Sequence, residues 1–324
     1  MILKIIVHRL LWAVPILIGM SLLSFILMKA SGGGIFEQMK LDPMTSKQLI
    51  HQYEHKYGLD KPLYAQYGKW LFNLFKGDLG YSFYFKAPVK EVIALRIKNT
   101  ILLSFICIII IWALALPLGT ISAGRQNSII AKSSSILSYI TMCLPSFFLA
   151  FLLLAFAAHT GLLPTGSMVS ISHNYMGPTE KFIDVLKHLA IPAFVISIPS
   201  AGALYRIVRS NVSKANSAPF SINARTRALP EEIVLTDYAL KNSIQPLIVI
   251  FGYQIADILS GAALVEIVCN WPGLGSIMLT AVQAQDMHLV MASMIISGAM
   301  LIFGNLISDL LLLALDPRLR EGML

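Results

Sequence analysis

Residues 100–121, TILLSFICIIIIWALALPLGTI, contain no charged side chain, and this stretch decides the class of fold. A helix of about 20 apolar residues is long enough to cross the hydrocarbon core of a bilayer. Five further stretches have the same character, at residues 10–28, 136–160, 188–205, 244–267 and 289–315. The sequence therefore predicts an all-α polytopic membrane protein with six transmembrane helices.

The composition of the whole chain agrees with a membrane protein. Of the 324 residues, 56% are hydrophobic and 13% are charged, and the mean hydropathy is +0.71. A soluble domain carries roughly 25% charged residues. This composition argues against a soluble globular enzyme.

The positions of the basic residues indicate an orientation. With six spans both termini lie on one side, and the basic side chains on that side are Lys4, Arg9, Arg125, Lys132, Arg206, Arg209, Lys214, Arg225, Arg227, Lys241, Arg318 and Arg320. Short loops that are rich in Lys and Arg stay in the cytoplasm. We expect both termini to be cytoplasmic, and we read the net charge of +8 as an orientation signal, not as a nucleic-acid footprint.

The pattern divides the chain into three parts. Residues 1–31 are the N-terminus and first transmembrane helix, residues 32–99 form an extracytoplasmic insert, and residues 100–320 form the transmembrane core. Aromatic residues at spacings of three or four predict amphipathic helices in the insert: Tyr53, Tyr57, Tyr64, Tyr67, Trp70, Phe72 and Phe75. The sequence Gly77-Asp78-Leu79-Gly80 predicts the turn that ends them.

A cytoplasmic loop at residues 207–243 is the other long connection. Pro219 and Pro230 suit the first turn of a helix, and Glu231-Glu232 suit a helix N-terminus. The sequence predicts two short helices, at residues 219–228 and 230–242. A connection with this much structure is expected to contact another protein.

Motifs for chemistry are absent from the sequence. The only Gly-Lys pair, Gly68-Lys69, lacks the first glycine of a phosphate-binding loop, and there is neither His-Glu-x-x-His nor Gly-x-Ser-x-Gly. We therefore expect no catalytic residue, no metal site and no cofactor bound by this chain. For His51 and His55 we favour a solvated histidine pair. The alternative is a metal site formed by the two side chains. Cys107, Cys143 and Cys269 indicate no disulfide framework.

Acidic residues inside predicted spans mark candidate functional positions. A carboxylate at the centre of a bilayer costs about 2.5–3.5 kcal/mol on insertion scales, so it should face a partner or water. Asp257, with Gln254 and Ser260 nearby, either lines a translocation path or pairs with a neighbouring subunit. Asp309, with Asn305 one turn earlier, is interpreted as a structural link between helices.

A series of short motifs in order along the chain resembles a known family. They are Tyr57-Gly58-Leu59-Asp60-Lys61-Pro62-Leu63, Lys76-Gly77-Asp78-Leu79-Gly80-Tyr81-Ser82, Pro88-Val89, Leu144-Pro145-Ser146-Phe147-Phe148, Gly161-Leu162-Leu163-Pro164-Thr165-Gly166, Trp271-Pro272-Gly273-Leu274-Gly275, Gln285-Asp286 and Asp316-Pro317-Arg318-Leu319-Arg320. Over essentially its whole length the chain resembles the first permease subunit of the bacterial dipeptide, oligopeptide and nickel ABC importers.

The resemblance implies a fold of the type I ABC importer kind and a set of partners. These are a homologous second permease subunit that forms a heterodimer, two ATP-binding subunits that hold ATP and Mg, an extracytoplasmic substrate-binding protein and the bilayer of the bacterial inner membrane. It also implies that the cytoplasmic loop couples to the ATPases through Asn223, Ala224, Arg225, Thr226, Arg227, Ala228 and Leu229. Extracytoplasmic docking or gating is expected at Gly77, Asp78, Trp271, Pro272 and Gly273.

Two departures from the family pattern fall in the coupling loop. Ala228 stands where the family has a glycine, and Pro219-Phe220 stands where an Asp-Tyr is common. Alanine favours a continuous helix over glycine by roughly 1 kcal/mol, so a shifted bend is expected there. The resemblance leaves the cargo open between peptides and a nickel or other metal chelate. A stand-alone secondary transporter is the less favoured alternative.

Overall fold

The computed structural model describes residues 2–32, 61–261 and 263–315, which form two compact units. In chain order the helices and strands are α1 (Ile2–Ala30), α2 (Leu63–Phe75), β1 (Tyr81–Ser82), β2 (Ala87–Pro88), α3 (Val89–Gly124), α4 (Ile129–Cys143), α5 (Ser146–Thr160), α6 (Pro178–Asn216), α7 (Pro219–Thr226), α8 (Glu231–Ile233), α9 (Lys241–Gly261), α10 (Ala263–Val268), α11 (Leu274–Gln283) and α12 (Met287–Leu315). A 3₁₀ turn at His173–Tyr175 and a π-helix at Val234–Leu240 complete the described structure.

Four of the described helices are long and apolar enough to cross a membrane. They are Ile6–Ala30, Val89–Gly124, Pro178–Asn216 and Met287–Ala314. A fifth span results if α4 and α5, which form a bent pair, are counted together. The predicted multi-pass helical architecture is confirmed at this level, while the count of six spans stays a prediction.

The third predicted span, residues 136–160, is two helices and not one. The axes of α4 and α5 meet at an angle of 99°. Leu144, between them, has an extended backbone (φ −89°, ψ 124°), as expected for a residue that precedes proline. Pro145 then starts α5 because its missing N–H costs nothing at a helix N-terminus.

The first unit takes residues 3–100 and 272–302, as far as these are described. Its α2 ends at Phe75 and a turn follows with Gly77 at φ 80° and Gly80 at φ 90°, as the Gly-Asp-Leu-Gly pattern predicts. Trp70, on α2, is buried with Phe25 and Met291. Of the predicted aromatic pattern, Tyr53 and Tyr57 lie outside the described residues.

Strands β1 and β2 form a two-stranded antiparallel hairpin, and α3 begins directly after it at Val89. The helix therefore runs through residue 99, where the sequence predicts the end of the insert. Val89 and Ile93 are buried with residues of α11 and α12 in the core of the first unit. The described part of the insert is thus a helix and a hairpin that continue into a long apolar helix.

The second unit takes residues 101–271 and 303–324, as far as these are described, and is built around α6. Leu204, Tyr205, Val208 and Val212 of α6 are buried in a core shared with the apolar part of α3. Gly202 lets α4 approach α6 closely, since a Cβ there would lie 2.7 Å from an oxygen of Thr141. Helix α6 therefore packs against several helices of the unit, and it leads into the connection between α6 and α9.

Candidate functional site

The loop between α6 and α9 contains the residues predicted to contact an ATPase. We call residues 219–233, from α7 to α8, the coupling segment. In α7, Ser221 and Ala224 are buried, whereas Ile222 and Asn223 are exposed. The hydroxyl of Ser221 donates to the carbonyl oxygen of Ala215 at 2.8 Å, which attaches α7 to the end of α6. The segment thus has one face fixed to its own chain and one face open.

The side chain of Arg225 connects three parts of the loop. Its Nη1 donates to the carbonyl oxygen of Asn216 at 2.9 Å and its Nη2 donates to Oδ1 of the same residue at 2.6 Å. Its Nε and Nη2 donate to the two carboxylate oxygens of Glu231 at 2.9 and 2.5 Å. Such a bidentate pair fixes orientation as well as distance. The guanidinium therefore holds α6, α7 and α8 in one arrangement.

The ion pair shifts both pKa values in the directions expected for opposite charges. The hydrogen bonds from Arg225 lower the pKa of the Glu231 carboxyl below its ordinary value of 4.5. The same contact raises the pKa of the Arg225 guanidinium above its ordinary value. Both groups are therefore charged at neutral pH, and their ion pair connects α7 to α8.

The helix predicted at residues 219–228 ends at Thr226, two residues early. Ala228 takes a left-handed conformation with φ 57°, and its N–H donates to the carbonyl oxygen of Arg225 at 2.9 Å. A residue with a Cβ pays roughly 1–2 kcal/mol for this conformation, which glycine adopts freely. Alanine therefore adopts at this position a conformation that glycine takes more readily, and the expected shift of the bend relative to the family stays a prediction.

The second predicted helix, residues 230–242, is also different in detail. One turn at Glu231–Ile233 leads into the π-helix Val234–Leu240, which continues directly as α9. Pro230 lies just before that turn. Insertions of the π type are frequent at functional positions in helices. Val234 and Ala239 are buried, so this wide turn packs against the rest of the second unit.

The residues predicted to line a translocation path lie on α9. Gln254 accepts a hydrogen bond from the indole nitrogen of Trp112 at 2.8 Å. Asp257, one turn later, is exposed, as is Tyr253, whose side chain has 65% of its surface accessible. The side chain of Ser260 lies outside the described part of the structure. An apolar helix thus presents a carboxylate on its accessible face.

The predicted docking and gate residues divide between the two units. In the first unit, Gly77 and Asp78 are exposed, and Oδ1 of Asp78 accepts from the N–H of Gly80 at 2.9 Å. The exposed turn that they form is available to a partner. Gly273 is the N-cap of α11, and the carbonyl oxygen of Pro272 accepts from Asn99 at 2.9 Å.

Trp271 belongs to the core of the second unit. Trp271 is 1% exposed, and its backbone N–H donates to the carbonyl oxygen of Glu266 at 2.7 Å. A buried indole offers no surface to a docking protein in this conformation. Its contribution there is packing against the helices around α6.

Asp286 connects parts of the first unit, and the sequence motifs predicted no role for this residue. Its carboxylate is buried and accepts from the hydroxyl of Ser82 at 2.6 Å and from the N–H of Tyr84 at 3.2 Å. Its Oδ1 also accepts from the N–H of Leu289 at 3.3 Å, as an N-cap does for α12. One side chain therefore attaches the hairpin to the start of α12. The position of Asp286 just before an apolar helix is the sequence feature that indicates an N-cap.

A second buried carboxylate fixes the loop between α5 and α6. Asp184 of α6 accepts from the N–H of Ser170 at 3.0 Å and also from its hydroxyl. Nδ1 of His173 lies 2.7 Å from Oδ2 of Asp184, and Nδ1 of His188 lies 3.3 Å from Oδ1. These contacts attach the loop to α6, and none of the residues belongs to the coupling segment or to the predicted path.

Within residues 2–32, 61–261 and 263–315, no group of three or more His, Cys, Asp or Glu side chains could hold a metal ion. His51 and His55, the pair considered in the sequence, lie outside the described residues.

Comparison with known proteins gives two family matches and several relatives that span the whole chain. Residues 115–321 match the family described as "binding-protein-dependent transport system inner membrane component", and residues 2–104 match its N-terminal counterpart. The oligopeptide transport system permease protein AppB of Bacillus subtilis is 34% identical over 316 residues, which are 97% of this chain and 98% of AppB. The dipeptide transport system permease protein DppB of Escherichia coli K12 is 28% identical over an alignment of 336 positions, which covers 98% of this chain and 99% of DppB.

Proposed function

Because this chain belongs to the family of binding-protein-dependent transport system inner membrane components, we propose that it is the permease subunit of an ATP-driven ABC importer that brings peptides across the bacterial cytoplasmic membrane. The names of AppB and DppB support peptides as the cargo over metal chelates. The absence of a phosphate-binding loop from the sequence supports a subunit that is driven by separate ATPases.

The observation that carries the proposal is the coupling segment with its two faces. Arg225 attaches this short helix to neighbouring parts of its own chain, so the helix can transmit a movement of an ATPase without unfolding. Its exposed residues, among them Ile222 and Asn223, are available to an ATPase. Movement of α7 would reach α6 directly through the Ser221 and Arg225 contacts.

The transport step that we propose is alternating access. ATP binding closes the two ATPase subunits, which move the coupling segment and favour an outward-facing arrangement of the permease pair. Hydrolysis restores the inward-facing one. The coupling is a free-energy bias between two packings, so ATP must bind the assembly in one packing better than in the other. This chain needs no cofactor of its own in the scheme.

Asp257 and Gln254 are the residues that we assign to the path. An exposed carboxylate in lipid would cost about 2.5–3.5 kcal/mol, so Asp257 is expected to face water or the second permease subunit. As a wall of the path it would attract the cationic amino group of a peptide. Gln254, held by Trp112, would offer its amide donors to peptide carbonyls.

The remaining assignments concern the assembly. We propose a heterodimer with a homologous permease, two ATP-binding subunits on the cytoplasmic side and a substrate-binding protein outside. Both termini would then be cytoplasmic and the insert extracytoplasmic. The exposed turn at Gly77 and Asp78 is the part of the insert that we propose for docking.

Reconstitution into liposomes tests the proposal. The chain alone should give no peptide flux, whereas the assembly with its permease partner, its ATPases and its binding protein should accumulate peptide only with ATP and Mg. Flux of peptide through the lone chain, driven by an ion gradient, would overturn the proposal in favour of a secondary transporter. Uptake of a nickel chelate without uptake of peptides would overturn the cargo assignment alone.

A further inference from the structure

A polar cleft lies between α4 and the last three turns of α6, within the second unit. It has a volume of about 350 Å³, which lies in the range of ligand pockets. Three of its lining side chains are basic: Arg206, Arg209 and Lys214. We call this site the basic cleft. Its lining contains no Asp or Glu side chain.

The walls of the basic cleft are fixed by contacts between the two helices. The guanidinium of Arg206 stacks on the ring of Tyr139, with Cζ 4.5 Å from the ring centroid. Arg209 donates a hydrogen bond to the hydroxyl of Ser135. The hydroxyl of Tyr205 donates to the carbonyl oxygen of Ala131 at 3.3 Å. Both guanidinium groups therefore contact side chains of α4.

The charge in the cleft is not balanced by the part of the chain that the structure describes. Neither Arg206, Arg209 nor Lys214 forms an ion pair with a described carboxylate. Each guanidinium has five N–H donors, of which the described hydrogen bonds use one per side chain. Three cations in one cleft at the edge of apolar helices favour a bound anion.

An apolar pocket of about 80 Å³ adjoins the basic cleft, and Tyr205 lines both. Leu114, Leu118 and Leu137 are among its lining residues. On the same helix as Leu137, the side chains of Ile136 and Ile140 are 61% and 52% exposed. A binding site for an anion thus continues into an apolar surface, as an amphiphilic ligand requires.

We propose that the basic cleft binds the phosphate headgroup of an anionic phospholipid, whose acyl chain lies in the apolar pocket and along α4. Basic pockets between transmembrane helices on the cytoplasmic side are typical sites for such headgroups. The cleft is at the end of α6 that leads into the coupling segment, so the lipid belongs to the inner leaflet in our orientation. A soluble phosphate would use the cations but would leave the apolar pocket without a ligand.

The assembled transporter, purified in detergent, provides the test. Native mass spectrometry would measure binding of phosphatidylglycerol and of phosphatidylcholine to this subunit. We expect phosphatidylglycerol to bind at least tenfold more tightly. Replacing Arg206→Gln and Arg209→Gln together should weaken its binding by roughly 100-fold, because each guanidinium supplies a charge-assisted hydrogen bond that is worth about tenfold in affinity. Equal affinity for the two lipids would overturn the proposal.

Matched variants separate the cleft from charge and folding. Arg125→Gln with Lys132→Gln removes the same charge from exposed side chains outside the lining, and should leave phosphatidylglycerol binding unchanged. An equal loss in that variant would refute a specific site. Arg206→Lys with Arg209→Lys keeps the charge and should retain most of the preference.

A fourth variant distinguishes a lipid phosphate from a soluble phosphate. Ser134→Phe fills the apolar pocket without changing charge, and should weaken phosphatidylglycerol binding at least fivefold. Its own thermal midpoint without lipid shows whether it folds, independently of the arginine variants. If Ser134→Phe binds phosphatidylglycerol normally and millimolar inorganic phosphate displaces that lipid, the cleft is a site for soluble anions. The lipid proposal then fails.

Discussion

Arg225 stabilises the coupling segment through a single guanidinium that reaches two neighbours. Its partners Asn216 and Glu231 lie before and after α7, so the side chain closes the segment on itself. The arginine is 34% exposed and Glu231 is 58% exposed, so water screens part of their attraction. The pair is therefore expected to set the geometry of the segment more than its stability.

The ion pair predicts a pH dependence of stability. Because Arg225 lowers the pKa of Glu231, the folded chain binds that proton less readily than the unfolded chain. The stabilisation is present above pH 4.5 and is lost as the pH falls through the lower folded value. Glu231→Gln should lower the thermal midpoint at neutral pH, and this difference from wild type should vanish in acid. Glu232→Gln, which removes an exposed carboxylate with no described ion pair, should show no such difference.

The left-handed conformation of Ala228 predicts a stabilising substitution. Ala228→Gly removes the Cβ from a residue with φ 57° and should raise the free energy of unfolding by about 1 kcal/mol. Ala113→Gly, at an exposed position in the middle of α3, should lower it by roughly 0.5–1 kcal/mol because a glycine inside a helix costs entropy. Thermal unfolding in detergent measures both. Destabilisation by both glycines would show that Ala228 carries no strain.

Asp286 predicts a larger loss of stability. Asp286→Ala leaves the hydroxyl of Ser82 and the N–H of Tyr84 without their acceptor and removes an N-cap. We expect the free energy of unfolding to fall by about 2–4 kcal/mol. Asp78→Ala, an exposed acid in the neighbouring turn, should cost less than about 1 kcal/mol. An Asp286→Ala variant as stable as wild type would rule out a structural role for the carboxylate.

Among the secondary-structure elements, α7 has one buried face and one exposed face. The face with Ser221 and Ala224 packs on the chain, whereas the face with Ile222 and Asn223 is open. The sequence assigns residues 223–229 to ATPase coupling as a group, and it does not distinguish their side chains because the direction of each depends on where α7 packs. Burial divides them.

The two faces predict different phenotypes for one type of substitution. Ile222→Glu places a charge on the open face and should abolish peptide-stimulated ATPase activity of the assembly while the subunit stays folded. Ala224→Glu buries a charge at a position that is 2% exposed, and should prevent folding.

The readouts are ATPase activity of the purified assembly and its thermal midpoint. Asn127→Glu, in the exposed turn before α4, is the matched control and should keep full stimulation. Normal stimulation in Ile222→Glu would exclude this face from coupling.

For the protein as a unit in the bilayer, the distribution of basic residues and the described helices lead to one expected topology. The turn between α3 and α4 should be cytoplasmic, and the loop between α5 and α6 should be outside. Tyr175, in that loop, is 94% exposed, and Asn127, in the turn, is exposed as well.

Thiol labelling in intact cells tests this topology. In a Cys143→Ser background the other cysteines, Cys107 and Cys269, are buried, and burial raises the pKa of Cys269 to about 12, so it stays an unreactive thiol. Tyr175→Cys should react with a membrane-impermeant maleimide in intact spheroplasts. Asn127→Cys should react only after the membrane is opened. Labelling of the two positions in the reverse pattern would invert the orientation.

The linear sequence was sufficient for the membrane class, the positions of most apolar helices, the turn after α2 and the start of α7 at Pro219. These features depend on local composition and spacing, which a linear pattern records. It did not reveal the bend between α4 and α5 or the left-handed Ala228, since packing against neighbouring helices sets both. Only folding in three dimensions brings Asp286 to Ser82, 204 positions earlier, and joins α4 and α6 around the basic cleft. Contacts between distant residues arise only when the chain folds, so no local pattern encodes them.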